Sequence, residues 1–81
     1  MNIIDNKSII LYPNPVNEYC SIKNNEPCYE DYYITIYNSQ GTVVKRCKVS
    51  NILYIGDLKP GIYLIELLNN SGIQITKIIK R

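Results

Sequence analysis

The chain has 81 residues, of which 46% are hydrophobic, and its net charge is +2 at pH 7. This length supports one domain with one small core, and the hydrophobic fraction argues against intrinsic disorder. The weak, scattered charge excludes the concentrated basic face that nucleic-acid binding requires. No apolar run approaches the roughly 20 residues that span a bilayer. Alanine is absent while Ile and Tyr are frequent, which favours strands over helices.

The chain begins with a polar, mixed segment. Residues 1–8 contain Asp5 and lack an apolar stretch of the kind found in secretory signals. We predict a tail or linker over residues 1–8 and a domain over residues 9–81. If the domain works outside the cytoplasm, an upstream segment is expected to direct it there.

Short runs of apolar and polar alternation follow, separated by turns rich in Gly, Asn and Pro. The period of two is that of half-buried strands. It places Cys20 and Ile22 on one face of a strand, and Ile34 and Ile36 on one face of the next. Strands are predicted over residues 8–12, 19–23, 32–37, 42–49, 52–55, 62–68 and 73–79. This spacing predicts an all-β fold, a small seven-stranded antiparallel β-sandwich of immunoglobulin-like type.

Three local features refine this prediction. Tyr12-Pro13-Asn14-Pro15 ends the first strand in a stiff turn with few backbone donors. Gly41 closes a hairpin between the third and fourth strands and is expected to have a positive φ. The apolar pattern of the last strand changes parity, which predicts a bulge near Thr76.

The sixth strand is apolar on both faces. If Glu66 reaches water, Tyr63, Ile65 and Leu67 point inward, and the outer side chains Ile62, Leu64 and Leu68 form a face too apolar for open solvent. We therefore expect a partner to cover this outer face.

Residues that carry chemistry are few. The absence of His removes the usual general base and the commonest metal ligand. Cys20, Cys28 and Cys47 form no Cys-x-x-Cys pair, and three thiolates are a poor zinc site. Cys20 and Cys47 fall on the apolar faces of their strands and read as small core residues. A Cys20–Cys28 disulfide is one alternative in an oxidising compartment, and it would leave one thiol unpaired. No catalytic residue, metal or cofactor is predicted.

The tyrosines and the bases each have two interpretations. The eight tyrosines either form a sugar-binding platform or are ordinary strand residues, and the second interpretation is favoured for Tyr33, Tyr37 and Tyr63. The basic stretches 45–48 and 77–81 either bind phosphate or are solvated strand faces. The second interpretation is again favoured.

Four blocks of sequence resemble one family. They are Leu11-Tyr12-Pro13-Asn14-Pro15 with Cys20-Ser21-Ile22; Ile34-Thr35-Ile36-Tyr37-Asn38 with Gln40-Gly41 and Val43; Ile55 with Leu58 and Gly61-Ile62-Tyr63-Leu64-Ile65; and Thr76-Lys77-Ile78-Ile79-Lys80-Arg81. In this order and spacing, from about residue 10 to residue 81, the chain resembles the type A C-terminal sorting domain of cargo proteins of the type IX (Por) secretion system of Bacteroidetes. Cys20 stands where the family usually has a larger aliphatic residue.

The resemblance implies a non-catalytic secretion signal. It implies that an upstream cargo, joined through residues 1–8, crosses the outer membrane by way of the translocon and shuttle components of the type IX machinery. A sortase-like peptidase would then remove the domain. The implied location is the periplasm in transit, then the cell surface or the extracellular space.

The resemblance also implies a set of sorting-motif residues. These are Tyr12, Pro13, Asn14, Pro15, Gly41, Leu58, Gly61, Tyr63, Lys77, Lys80 and Arg81. Recognition would use a sheet edge or a patch near the last strand, and the three terminal bases would contribute orientation and encounter rate.

The residues themselves indicate three further points about partners. We predict no binding to nucleic acid and no membrane span. The apolar outer face and the free sheet edges leave a homodimer as one alternative. An immunoglobulin- or fibronectin-like carbohydrate-binding or adhesion module is the alternative function.

Overall fold

The fold is entirely β in the part of the chain that the computed structural model describes, residues 9–24, 31–69 and 72–81. The seven strands are β1 (Ile9–Tyr12), β2 (Tyr19–Asn24), β3 (Tyr32–Tyr37), β4 (Val43–Val49), β5 (Ile52–Tyr54), β6 (Gly61–Asn69) and β7 (Gly72–Lys80). The predicted β-sandwich is confirmed. The predicted linker over residues 1–8 and the predicted start of the first strand at Ser8 lie outside the described residues.

The strands form two sheets, one with the order β1-β2-β5 and one with the order β4-β3-β6-β7. Neighbouring strands are antiparallel in both sheets. The chain changes sheet between β2 and β3, between β4 and β5, and again between β5 and β6. Over the described ranges, no helix is long and apolar enough to cross a membrane.

The core lies between the two sheets, because each strand directs alternate side chains inward. In the larger sheet Ile34 pairs with Leu67 and Ile36 pairs with Ile65 in register, and all four are essentially inaccessible to solvent. The smaller sheet contributes apolar side chains of the same kind, namely Cys20, Ile22 and Leu53. The predicted inward faces of β2, β3 and β6 are confirmed.

The predicted bulge near Thr76 is wrong. The pairing of β6 with β7 runs without interruption from Gly61 and Lys80 to Asn69 and Gly72. The irregularity lies in β4 instead, where Ile36 pairs with Lys45 but Tyr37 pairs with Val43. The parity change in β7 has a different cause: Ile75 is exposed on the outer face, and the polar Gln74 occupies a buried inward position.

Gln74 connects the two sheets through a hydrogen bond. Its side chain is 1% exposed, and its Nε2 donates to the backbone carbonyl of Ile9 at 2.9 Å. This bond joins β7 to β1 across the end of the core. The bond satisfies the Nε2 donor, whereas Gln74 Oε1 is buried without a hydrogen-bond partner among the described residues.

A pair of substitutions in β6 tests the assignment of its two faces. We expect Ile65→Ala, at a fully buried position, to lower the free energy of unfolding by about 2–5 kcal/mol, because it removes buried methylenes and leaves a cavity. The same change at Ile62, which is 49% exposed, is expected to cost roughly 0.5 kcal/mol or less. Urea unfolding followed by circular dichroism measures both. Equal losses in the two variants would contradict the assignment.

Candidate functional site

Residues 12–16, here called the clasp, lie along the edge of β7 that faces away from β6. The backbone N–H of Val16 donates to the carbonyl of Ile79 at 2.8 Å, and the N–H of Arg81 donates to the carbonyl of Val16 at 2.8 Å. Val16 and Lys80 form a parallel bridge, and the Val16 side chain is completely buried. The carbonyl of Ile79 in β7 and the N–H of Arg81, just beyond the strand, therefore gain partners beyond those in the sheet.

The side chain of Asn14 extends this pairing. The N–H of Ile79 donates to Asn14 Oδ1 at 2.9 Å, and Asn14 Nδ2 donates to the carbonyl of Lys77 at 3.3 Å. The flanking Pro13 and Pro15, each preceded by a cis peptide bond, have no N–H to donate. A carboxamide carries the same donor and acceptor as a peptide group. Asn14 therefore continues the hydrogen-bonded ladder where the proline backbone cannot.

The clasp joins two of the blocks that the sequence resemblance relates, the Tyr12-Pro13-Asn14-Pro15 element and the basic segment from Lys77 to Arg81. The sequence predicted this element as a strand terminator and did not predict its contact with β7. The sequence does contain one signal, the amide of Asn14 between two prolines. It is the one side chain of Pro13-Asn14-Pro15 that can both donate and accept a hydrogen bond.

Gly41 lies in the turn between β3 and β4 with φ of +82°, which confirms the prediction for this glycine. The turn is held by Asn38, whose Oδ1 accepts hydrogen bonds from the N–H groups of Gln40 and Thr42 at 3.0 Å each. The N–H of Gly41 donates to the carbonyl of Asn38 at 3.0 Å. Such a left-handed conformation favours glycine because it lacks a Cβ.

Leu58 and Tyr63 shape the connection that carries the chain from β5 to β6, and Gly61 is the first residue of β6. Leu58 packs against the core, and its N–H donates to the carbonyl of Ile55 at 3.0 Å. The Tyr63 ring is buried, and its hydroxyl donates to the carbonyl of Lys59 at 2.5 Å. These residues fix the position at which β6 enters the larger sheet.

The three terminal bases have different environments. Lys77 and Arg81 are exposed, whereas Lys80 is 8% exposed and its Nζ donates to the carbonyl of Arg81 at 2.5 Å. The difference follows from strand alternation, since Lys80 shares the inward parity of Ile78. The interpretation of this segment as a solvated face therefore holds for Lys77 and Arg81, and is wrong for Lys80.

A pocket of about 360 Å³ lies where the β3–β4 turn meets the start of β6 and the middle of β7. It is lined by Asn38, Ser39, Gly41, Ile62, Tyr63, Leu64 and Lys77. Three of these, Gly41, Tyr63 and Lys77, belong to the set of sorting-motif residues and come from three separate blocks of the sequence. The fold thus gathers them around one concave, largely apolar site with a single cation.

The pocket opens onto the outer face of β6 and β7, which is apolar. Its exposed aliphatic side chains are 36–49% accessible to solvent: Ile62, Leu64, Leu68, Ile75 and Ile79. Ile62 and Ile79 are cross-strand partners, and Lys77 lies opposite Leu64. Glu66 lies on the same face between Leu64 and Leu68, opposite Ile75, and accepts a hydrogen bond from the Tyr37 hydroxyl at 3.5 Å. Five exposed aliphatic side chains around it on two neighbouring strands are a concentration of the kind associated with interaction sites.

Comparison with known protein families identifies the family to which the chain belongs. The family model for the secretion system C-terminal sorting domain matches residues 10–81. The chain belongs to this family. No curated protein matches the chain.

The sorting domain is a C-terminal signal for type IX secretion, a role that the sequence resemblance predicted and that the family match supports. Such a signal implies interaction with the type IX machinery and export to the cell surface or the extracellular space. The family is one of secretion signal domains.

The two described thiols of the sorting domain both have raised pKa values. Cys20 and Cys47 are free cysteines. Burial raises the pKa of the Cys20 thiol to about 11, against a smaller opposing effect of the Tyr12 backbone. Burial also raises the pKa of Cys47, and the nearby charge of Lys45 offsets this only in part. Cys28 lies outside the described residues, and within those ranges no cluster of three His, Cys, Asp or Glu side chains is placed to hold a metal ion.

One ion pair ties the larger sheet to the β5–β6 connection. Lys45 Nζ lies 3.0 Å from Asp57 Oδ1 and 5.2 Å from the centroid of the Tyr54 ring. The hydrogen bond from Lys45 lowers the pKa of the Asp57 carboxyl group. The Lys45 side chain is thereby held beside Tyr54 and Asp57.

Four of the seven tyrosines in the described ranges are exposed, and Tyr32 is buried in the core. Tyr63 is buried and Tyr37 is partly buried, but Tyr33 is 56% exposed. On the smaller sheet, the exposed rings of Tyr19 and Tyr54 have centroids 5.2 Å apart and planes inclined by 54°. Such a tilted pair stabilises the surface of the sheet.

The clasp makes a prediction about stability. We expect Asn14→Ala to lower the free energy of unfolding by about 1–2 kcal/mol, since it removes two hydrogen bonds to β7. Asn17→Ala is the matched control, because Asn17 lies in the same connection and is exposed. Urea unfolding compares the two variants. A loss no larger in Asn14→Ala than in Asn17→Ala would show that the clasp does not stabilise β7.

The thiols make a prediction about reactivity. Raised pKa values keep Cys20 and Cys47 protonated at neutral pH, and only the thiolate reacts rapidly. Alkylation at neutral pH, with each site identified by peptide mass mapping, is expected to be much slower in the folded domain than in urea. Cys20 is expected to be the slower of the two because it is fully buried. Fast, selective labelling of Cys47 in the folded domain would instead indicate a reactive thiol.

Proposed function

We propose that this sorting domain is read in its folded form and that the type IX machinery contacts it through the outer face of β6 and β7. The cargo lies upstream, joined through residues 1–8. The contacting proteins are components of the outer-membrane translocon and its shuttle. In this proposal the domain contributes a binding surface and not a reaction.

The observation that supports this proposal is the apolar outer face itself. Ile62, Leu64 and Ile75 expose almost half of their surface, although the other faces of their strands pack into a complete core. Burial of such side chains against a partner contributes roughly 25 cal/mol for each Å² removed from water. A secretion partner that covers this face gains that free energy only when β6 and β7 are paired.

Lys77 adds a positive charge at one defined position of the outer face. It is exposed, lines the pocket and lies beside Leu64 on the neighbouring strand. A partner with an acidic group opposite Lys77 and an apolar side chain directed into the pocket matches this arrangement. Charge complementarity of this kind contributes mainly to orientation and to the rate of encounter.

The clasp supports recognition of the folded form. Residues 77–81 supply the backbone groups that bind Asn14 and Val16, so their deletion removes part of β7 together with the bases. Loss of export after such a deletion would therefore report on folding as well as on charge. Single side-chain changes on the outer face separate the two effects.

After export, we propose that a sortase-like peptidase removes the domain by cleaving within residues 1–8, which precede β1. On this route the cargo passes through the periplasm before it reaches the cell surface or the medium. Cleavage at this position leaves the two sheets and the clasp intact in the released domain.

The test uses residues 1–81 fused behind a Sec signal and a reporter in a Bacteroidetes host. We expect Leu64→Gln combined with Ile75→Gln to reduce reporter at the surface or in the medium by on the order of tenfold, since each lost apolar contact is worth about 1 kcal/mol or more. The matched control is Ile10→Gln combined with Ile52→Gln. This pair makes the same chemical change at exposed positions of the smaller sheet and is expected to leave export unchanged.

Thermal unfolding of the purified domains shows whether both double variants remain folded. Normal export of the Leu64 and Ile75 variant, or an equal reduction in the control, would contradict the outer face as the contact surface. Lack of export of the unmodified fusion would instead contradict sorting by this domain.

A further inference from the structure

The two edges of the larger sheet differ. The edge of β7 is paired with the clasp over residues 77–81, whereas β4, at the opposite edge, pairs only with β3 among the described strands. One side of β4 therefore presents backbone N–H and C=O groups outward. Such an edge is a template for pairing with another chain.

The side chains of β4 carry a concentrated positive charge. Lys45, Arg46 and Lys48 fall within four residues, and the strand contains no acid. Lys45 is already paired with Asp57 at 3.0 Å. Within the described ranges, Arg46 and Lys48 form no ion pair, and both are exposed on the outward side of the strand.

The inward side of β4 is apolar at the two positions that flank Lys48. These are Cys47 and Val49, which are partly buried and pack against the core. Lys48 lies with its Nζ 5.3 Å from the centroid of the Tyr33 ring, which keeps this cation beside the strand. The irregular pairing at Val43 and Tyr37 leaves residues 45–49 as the regular part of the edge.

The bases of β4 have a protective effect, since like charges disfavour pairing between two copies of this edge. The same charges do not oppose a strand that carries acids. They select for it, because opposite charges in cross-strand positions are stabilising. The edge therefore discriminates by charge rather than being closed to every partner.

We propose that the edge of β4 binds an extended protein segment in which acidic side chains alternate with apolar ones. The bound segment adds a strand to the larger sheet and pairs through its backbone. Its acidic side chains lie beside Arg46 and Lys48, and its apolar side chains contact Cys47 and Val49. This site is separate from the outer face of β6 and β7 and does not depend on the role proposed for that face.

The test uses short capped peptides as probes. The parent peptide has the alternating sequence Thr-Glu-Val-Glu-Val-Glu-Thr. Two further peptides of the same sequence carry N-methyl groups on alternate amides, so that one blocks pairing along one edge of the peptide and the other blocks the opposite edge. Binding is measured by fluorescence anisotropy, and its location by amide hydrogen exchange of the full chain.

We expect the parent peptide to bind and to slow exchange of β4 amides. One N-methylated peptide is expected to lose binding, since it lacks the donors that face β4, and the other to retain it. The variant Arg46→Glu with Lys48→Glu is expected to bind the parent on the order of tenfold more weakly, and to prefer a peptide with Lys in place of Glu. The neutral variant Arg46→Gln with Lys48→Gln serves if charge reversal prevents folding, and it is expected to weaken binding without this change of preference.

Three results would overturn the proposal. Equal binding of the parent and both N-methylated peptides would show charge attraction without strand pairing. Slowed exchange in strands other than β4 and β3 would place the site elsewhere. Absence of binding by the parent peptide would show that the bases protect this edge from every added strand.

Discussion

The structure depends on the hydrogen bonds that the clasp makes with β7. Without them, the last strand has one paired side and one side open to water. Asn14 and Val16 bind backbone groups of residues 77, 79 and 81, so the segment nearest the start of the described chain holds the segment at its end. Gln74 adds a buried bond to Ile9. The two sheets are joined at this side by polar contacts as well as by the core.

These bonds also fix which side chains of β7 face the solvent. A strand that slipped by one residue would exchange its two faces, exposing Lys80 and burying Lys77. In the observed register Lys77 lies on the outer face beside Leu64, and Lys80 is buried with its amine bound to Arg81. The clasp binds the backbone of alternate residues and is therefore sensitive to that register. The position of the exposed base in the pocket thus depends on contacts made on the opposite side of the strand.

Much of the fold could be predicted from local pattern, and less of the site. Alternation located the strands and identified the inward faces of β3 and β6, because a period of two is a property of each strand alone. It failed in β7, where Gln74 is buried through a bond to Ile9 and the apolar Ile75 faces outward. It also missed the clasp, since the partners of Asn14 are 63 and 65 residues away. The amide between two prolines marks Asn14 as a donor and acceptor, but no local pattern identifies a partner across such a distance.

The surfaces to which we assign binding all lie on the larger sheet of the sorting domain. The smaller sheet and the clasp stabilise the larger sheet, which carries an apolar outer face, a pocket with one cation and a basic edge at β4. An exposed apolar face adds little to the stability of the isolated domain, because its side chains stay largely in contact with water. Its retention beside a complete core is explained if the free energy of covering it is used in binding. A signal made of paired strands also differs from a linear motif, because Gly41, Tyr63 and Lys77 share a pocket only after both hairpins of the larger sheet have formed.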